Sequence, residues 1–372
     1  AAGRRRCSRA AAREHGRVPA DSTGVMAGHG YYGAHSLPQG SAGAFGLPLL
    51  VRAVDTVRLP DDSTSPVVIA DLGAAGGRNE LGPLTEAIGG LRQRRGLTAP
   101  IVVVHTDLPT NDFTALFETV EHDPDSYLRA PDTYAFAAGR SFYERIFPAA
   151  SVTLGWSAIA VHWLSAVPRP VEGHVWSEFA TGATRDALAA QSAADWRSFL
   201  ANRAVELRRG GQLVIVGGAA ADDGARSAEG LMNALNDAIA AAVADGRLGE
   251  NDYAAMTIPT WNRTLADFAA PFASVAELAD VLTLEEHALH VLPDPFLADY
   301  ERSGDAAAFA DAETAFLRGF TEPSLFGTLQ RPPDERRTLA DAVYAQVRDR
   351  AAEHPVRVAT NWRVAVLRIA RR

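Results

Sequence analysis

The sequence predicts an α/β fold: a mostly parallel sheet with helices on both faces and a helical cap inserted late in the chain. Two observations carry this expectation. Five β-branched runs alternate with Ala- and Leu-rich stretches of helical period, and the runs are continuously apolar, as strands buried on both faces are. The cap rests on a third. From 227 to 333 the pattern is amphipathic helix with no strong strand run, broken at IPTWNR and LPDPF.

Residues 1–25 read AAGRRRCSRAAAREHGRVPADSTGV, basic and rich in small side chains, with no apolar core for a secretory signal. A disordered extension is expected there; the arginine content leaves a transit peptide as the other reading. The first strand is VVIADLG at 67–73, followed by a helix over 79–95. IVVVHTDL at 101–108 and a helix over 111–121 follow, then a weak strand near 133–137 and SVTLGW at 151–156. Helices are expected over 158–164 and 184–209, a fifth strand at QLVIVGG, 212–218, and a helix over 228–245. After the cap come a helix over 335–353 and VRVATNWRVAVLRI at 356–369, whose alternation around a short turn predicts a final strand or hairpin at the sheet edge. The expected division is therefore 1–25 as extension, 26–226 with 334–372 as sheet core, and 227–333 as cap over a substrate pocket, at the carboxyl ends of the strands where open α/β sheets bind ligands.

Composition narrows the function. The 372 residues are 47% hydrophobic and 22% charged, ordinary for a globular chain, and no run of about 18 apolar residues could span a bilayer. A net charge of −9 disfavours a nucleic-acid partner. All 36 basic residues are arginine, so Schiff-base chemistry and a Walker phosphate loop are excluded. The single cysteine, Cys7, allows no disulfide framework or thiolate cluster within the chain, and a reducing, cytoplasmic setting is expected.

The first strand runs into DLGAAGGRN, Asp71 to Asn79, where small residues let the backbone turn tightly and approach a ligand. Such a loop equally serves as a plain strand-to-helix connection. The second strand ends in HTDLPTNDF, placing Asp107 beside that loop, where a carboxylate can accept both hydroxyls of a ribose. The spacing from Asp71 to Asp107 is 36 residues, longer than the roughly 20 of a dinucleotide fingerprint. With GxGxxG also absent, an adenosyl ligand without pyrophosphate fits better than NAD.

The motifs YYGAHSLPQ, ADLGAAGGRN, TDLPTNDF, GRSFYERIFP, VHWLSAVP, ELRRGGQLVIV and IPTWNR occur in that order. Together they resemble the plant-type SABATH carboxyl methyltransferases, the family of salicylate, benzoate, jasmonate and indole-acetate methyltransferases and the caffeine-pathway N-methyltransferases. The resemblance covers nearly the whole chain from Met26. It implies a Rossmann-like sheet, S-adenosylmethionine as cofactor, methyl-ester formation on the carboxylate of a small aromatic or aliphatic acid, and a homodimer. For the cofactor it implies Asp71, Gly73 and Asn79 around the first loop, Asp107 and Leu108 at ribose and adenine, Ser141 and Phe142 over the adenine, and Tyr32 in a covering segment. For the acceptor it implies Gln39 and Trp163 as donors to the carboxylate, with Ile159, His162 and Trp261 lining the pocket.

Neutral donors suit an acid that is already ionised at neutral pH, since a cationic clamp would blunt its nucleophilicity. Read from their neighbours alone, Trp163 in VHWLS is as well a core tryptophan, and Gln39 a solvated loop amide. His162 could line the pocket, donate to substrate or simply pack. His287 and His290, expected three apart on one helix face, have a spacing compatible with a metal, although an incidental solvated pair is the plainer reading. The sequence departs from the plant pattern at Ala74, Ala75, Gly76 and Gly77, in place of Ser-Ser-Gly-Pro, at Ile159 for an aromatic and at Trp261 for a tyrosine. These departures bear on which acid is used. Methylation of a heterocyclic nitrogen or phenol, and a cofactor-binding but inactive protein, are the alternatives.

Overall fold

A computed structural model describes residues 24–62, 64–94, 99–222 and 224–372. Of the extension expected over 1–25, residues 1–23, including Cys7, lie outside the described residues.

Seven strands form one sheet: β1 (Val67–Leu72), β2 (Ile101–Asp107), β3 (Thr133–Gly139), β4 (Val152–Ala158), β5 (Leu207–Gly218), β6 (Leu282–Val291) and β7 (Arg363–Arg371). Their order is β3-β2-β1-β4-β5-β7-β6. The first five are parallel, and β7 runs antiparallel between β5 and β6. This is the expected Rossmann-like sheet. Strand order reverses between β1 and β4, which opens a crevice at the carboxyl ends of those two strands.

Alternation along the strands explains the layers. Val214 and Val216 of β5 and Val364 and Val366 of β7 join one core with Leu50, Leu84, Ile88 and Trp156. Leu213, Ile215, Leu367 and Ile369 face a second core with Trp196, Phe199 and Phe268. A third core is helical. In it the helices Glu229–Ala244, Ala306–Leu325 and Pro333–Glu353 pack through Met232, Leu235, Phe316, Leu317, Val343 and Tyr344. The helix Pro333–Glu353 thus packs with the residues of the expected cap. Among the described residues, no helix is long and apolar enough to cross a membrane.

Three expectations are corrected. Residues 158–164 are not helical: Ile159 turns out of β4 at φ 52°, and Trp163 instead forms a β-bridge with Thr260. The backbone N–H of Leu164 donates to Pro259 and that of Trp261 to His162, both at 2.8 Å, so cross-chain bonding replaces the helical ladder.

The stretch 227–333 is not free of strands, because Leu282–Val291 is the outermost strand β6. Its Glu285 and Glu286 both pair with Arg368, and Arg52 reaches Glu286 at 2.8 Å. His287 and His290 therefore share no helix face. They sit opposite Leu367 and Val364 in the ladder, and an odd spacing in a strand sends them to opposite sides.

The chain end is not an edge hairpin either. Pro355–Val358 is a short helix, and β7 lies second from the edge. Its nearly continuous apolar run suits an interior strand.

Candidate functional site

The loop after β1 is shaped by its small residues. Gly73 adopts φ 96°, and a Cβ there would stand 2.4 Å from Ala160 Cβ, so neither conformation nor space admits a side chain. The N–H groups of Gly73 and Ala74 donate to Thr106 O at 2.9 and 3.1 Å, tying the loop to β2.

At the end of β2, Asp107 Oδ2 accepts the Ala75 N–H and Oδ1 the Leu108 N–H, each at 2.7 Å. Desolvation pushes the Asp107 carboxyl up to about 6, against the downward pull of these two N–H groups. Asn111 adds a bond to the Ala75 carbonyl at 2.9 Å.

These loops wall a cleft of about 780 Å³. Of the residues singled out from the sequence, Tyr32, Gln39, Gly73, Asn79, Asp107, Leu108, Ser141, Phe142, Ile159 and Trp163 line it. Asn79 donates to Ser36 Oγ at 2.9 Å, joining the loop to the helix Leu37–Ala44 that carries Gln39. Phe142 stands edge-on to Tyr143, their centroids 4.7 Å apart, and Arg203 holds the carbonyls of Phe142 and Glu144 at 2.9 and 3.0 Å.

Asp71 does not line the cleft. Its Oδ2 pairs with His105 Nδ1 at 2.6 Å, and His105 Nε2 meets the Tyr127 hydroxyl at 2.6 Å, so its side chain serves a buried relay behind the loop. Glu80 also lines the cleft, and no sequence motif marks it. It is buried, accepts the Trp156 indole N–H at 2.5 Å, and is pushed well up by burial and by Asp71.

A second cavity of about 70 Å³ adjoins the cleft. Met26, Tyr32, Gln39, Ile159 and Trp163 line both and mark the junction. Gln39 Oε1 is buried without a partner, and among the described residues the Trp163 indole N–H makes no hydrogen bond. Ile159 holds its left-handed conformation here, unusual strain for a β-branched residue. The loop bearing Trp163 is clamped from both sides. The Tyr143 hydroxyl donates to Trp163 O at 2.5 Å, and the buried Arg263 of IPTWNR donates to Val161 O and Ser192 O at 2.6 and 2.7 Å.

His162 lines only the second cavity. Burial, assisted by Arg263, lowers it to about 3, and its Nδ1 faces the Gly218 N–H at 3.4 Å. Trp261 lines neither cavity. It packs with Leu164, Val171 and Leu188, 5.2 Å beneath the Arg185 guanidinium, because its backbone bond to His162 turns the ring outward. Trp176, Met232, Phe316, Phe320 and Trp362 complete the second cavity. No motif in the sequence marks these residues, and chain folding alone brings them to one place.

Residues 24–365 match the protein family described as SAM dependent carboxyl methyltransferase. The chain is 30% identical over 247 residues to Methyltransferase FUS9 of Gibberella fujikuroi, covering 65% of each. It is 31% identical over 186 residues to Gibberellic acid methyltransferase 2 of Arabidopsis thaliana, covering 45% of this chain and 47% of that one. The first of these matches spans about two thirds of its curated relative's length, at 65%, and the second about half, at 47%. Among solved structures, a loganic acid methyltransferase with SAH superposes with a TM-score of 0.76 at 20% identity, over 94% of this chain and 98% of that one, which shows the shared fold.

Proposed function

The chain belongs to the SAM-dependent carboxyl methyltransferase family, and from that premise we propose that it converts the carboxylate of a small apolar acid to its methyl ester. Its cofactor is S-adenosylmethionine, which when bound supplies an electrophilic methyl group on a sulfonium. Features of the cleft support the fit. Gly73 lets backbone approach a ligand closely. A carboxylate offers about four lone-pair positions, and Asp107 spends two on backbone N–H groups, leaving acceptors for two ribose hydroxyls. In this reading Leu108, Ser141 and Phe142 flank the adenine, Tyr32 covers the cofactor and Asn79 steadies the loop; Asp71 acts through His105 rather than by contact.

The observation that carries the carboxylate reading is the junction. Trp163 brings to the junction an indole N–H, and Gln39 a side-chain amide whose NH2 can donate, neither bonded to a described protein group, and none of the five junction residues is charged. Neutral donors orient an anion without neutralising it, so its attack in line with the methyl group is preserved. An acid with a pKa of about 4 to 5 needs no base at neutral pH. His162, held at about 3, is too weak a base to relieve a phenol or ring N–H of its proton, which disfavours those acceptors. The helices Glu229–Ala244 and Ala306–Leu325 supply Met232, Phe316 and Phe320 to the acid's pocket and serve as its cap.

The test is product analysis by mass spectrometry after incubation with S-adenosylmethionine and a library of carboxylic acids beside phenols and xanthines. Methyl esters are the expected products. Exclusive methylation of phenols or ring nitrogens overturns the reading, and calorimetric cofactor binding without any turnover marks an inactive binder.

A further inference from the structure

Trp362 lies between the helix Pro355–Val358 and β7. It lines the second cavity and not the cofactor cleft, which puts it beyond the junction marked by Gln39 and Trp163. Its ring is fixed edge-on between Trp176 and Phe316, with centroids 6.3 Å from each, and its carbonyl accepts the Leu292 N–H at 2.7 Å.

The indole Nε1 of Trp362 is buried with no hydrogen-bond partner. Apart from Trp163 at the junction, the three other buried indoles behave differently. Trp156 donates to Glu80, Trp176 to Thr260 Oγ1 at 2.8 Å and Trp196 to Phe268 O at 3.0 Å. A buried donor without an acceptor costs free energy that a ligand acceptor restores, and Trp362 is the one of these four for which the protein provides none. At the junction, Gln39 Oε1 and the Trp163 indole N–H are also unmet among the described residues. The cavity therefore has unsatisfied polar groups both at the junction and beyond it, in a lining that includes Ala42, Met232, Leu292, Phe316 and Phe320 beside His162, Thr260, Asn262 and Arg363.

We propose that Trp362 is a specificity-determining residue, donating its indole N–H to an uncharged oxygen that the acid carries at the end remote from its carboxylate. This rests on the carboxylate reading above. The oxygen is a carbonyl, ether or hydroxyl rather than a second carboxylate: the flanking rings are apolar, and the neighbouring Arg363 guanidinium donates to the Ala225 carbonyl at 3.1 Å. An anion buried there would exchange its hydration chiefly for the neutral Trp362 indole, with the Arg363 guanidinium already engaged.

The test compares pairs of acids matched in size that differ only in an oxygen against a methylene at the remote end, using the wild-type chain and Trp362→Phe. The wild-type chain is expected to favour the oxygenated member by about tenfold in kcat/KM, mostly through KM. Trp362→Phe erases that preference while the methylene member changes by less than about twofold. Equal treatment of the pairs by the wild-type chain overturns the proposal without recourse to any variant, as does a preference that survives in Trp362→Phe. Parallel pairs of phenols and heterocycles, and equilibrium binding in the presence of S-adenosylhomocysteine, give the same comparison if no acid is esterified. In that event the carboxylate reading fails while Trp362 is still decided by the difference within each pair.

Discussion

Asp107 Oδ2 accepts the backbone N–H of Ala75 at 2.7 Å, so the side chain at the end of β2 fixes the loop that leaves β1. One carboxylate thus both shapes the cleft and faces it. Asp107→Ala is expected to weaken S-adenosylmethionine binding by roughly 1.5–3 kcal/mol, the range for hydrogen bonds to a charged group. Titration calorimetry on the folded variant checks this, and unchanged affinity removes Asp107 from the cofactor site.

The same carboxyl gives cofactor affinity a pH dependence. Its pKa in the free protein is raised to about 6, so below that pH the protonated form dominates and a proton must leave before two ribose hydroxyls can donate to a carboxylate. Affinity should be flat above about pH 7 and fall by up to about tenfold per unit below 6. In Asp107→Asn this slope should disappear; a wild-type profile flat from pH 7 to 5 would contradict the assignment.

Gly73 and Gly76 lie in one loop but should respond differently. Gly73→Ala forces a side chain into φ 96° and against Ala160, at a cost of about 1–3 kcal/mol from backbone strain alone, and the displaced 159–163 segment should carry away both cofactor binding and activity. At Gly76 an added Cβ meets nothing within 4 Å, and Gly76→Ala should stay within about 0.5 kcal/mol of the parent. Thermal melting of both variants tests the contrast, which fails if the two shift alike.

Trp163 and His162 are adjacent in sequence but only Trp163 reaches the junction. Trp163→Phe keeps a ring and deletes the donor, and should lower kcat/KM for the acid by about tenfold or more with cofactor affinity intact. His162→Ala should leave ester formation in place, and the wild-type rate should show no ionisation traceable to His162 between pH 6 and 8, because that imidazole stays neutral down to about 3. An indispensable His162 with a nearly silent Trp163→Phe points instead to an acceptor that must surrender a proton.

The helical unit should tighten around its ligands. Hydrogen exchange across 229–244 and 306–325 is expected to slow when S-adenosylhomocysteine and an acid are both present, since Met232, Phe316 and Phe320 line the acceptor cavity. Exchange indifferent to both ligands would remove these helices from the role of cap.

Local pattern by itself determined much of this protein. Continuous apolar runs located β1, β2, β4 and β5, because a strand buried on both faces needs no information from elsewhere in the chain to be recognised, whereas the half-exposed edge strand β3 gave only a weak signal. The small residues after β1 and the acid closing β2 pointed to the cleft for the same reason, and motif order singled out Gln39 and Trp163, which line both cavities. Tertiary structure decided the rest. Leu282–Val291 became a strand because β7, about 80 residues away, offers it a ladder and Arg368 and Arg52 partner its glutamates. Residues 158–164 exchanged an expected helix for bonds to 259–261. Asp71 was drawn behind the loop by His105, and Trp261 was turned outward while its neighbour Arg263 was buried. Met26, Trp176 and Trp362 line one cavity although they stand far apart in the chain. Apolar spacing says only that such side chains will be buried; which cavity they share is fixed by packing between segments that carry no mark of one another.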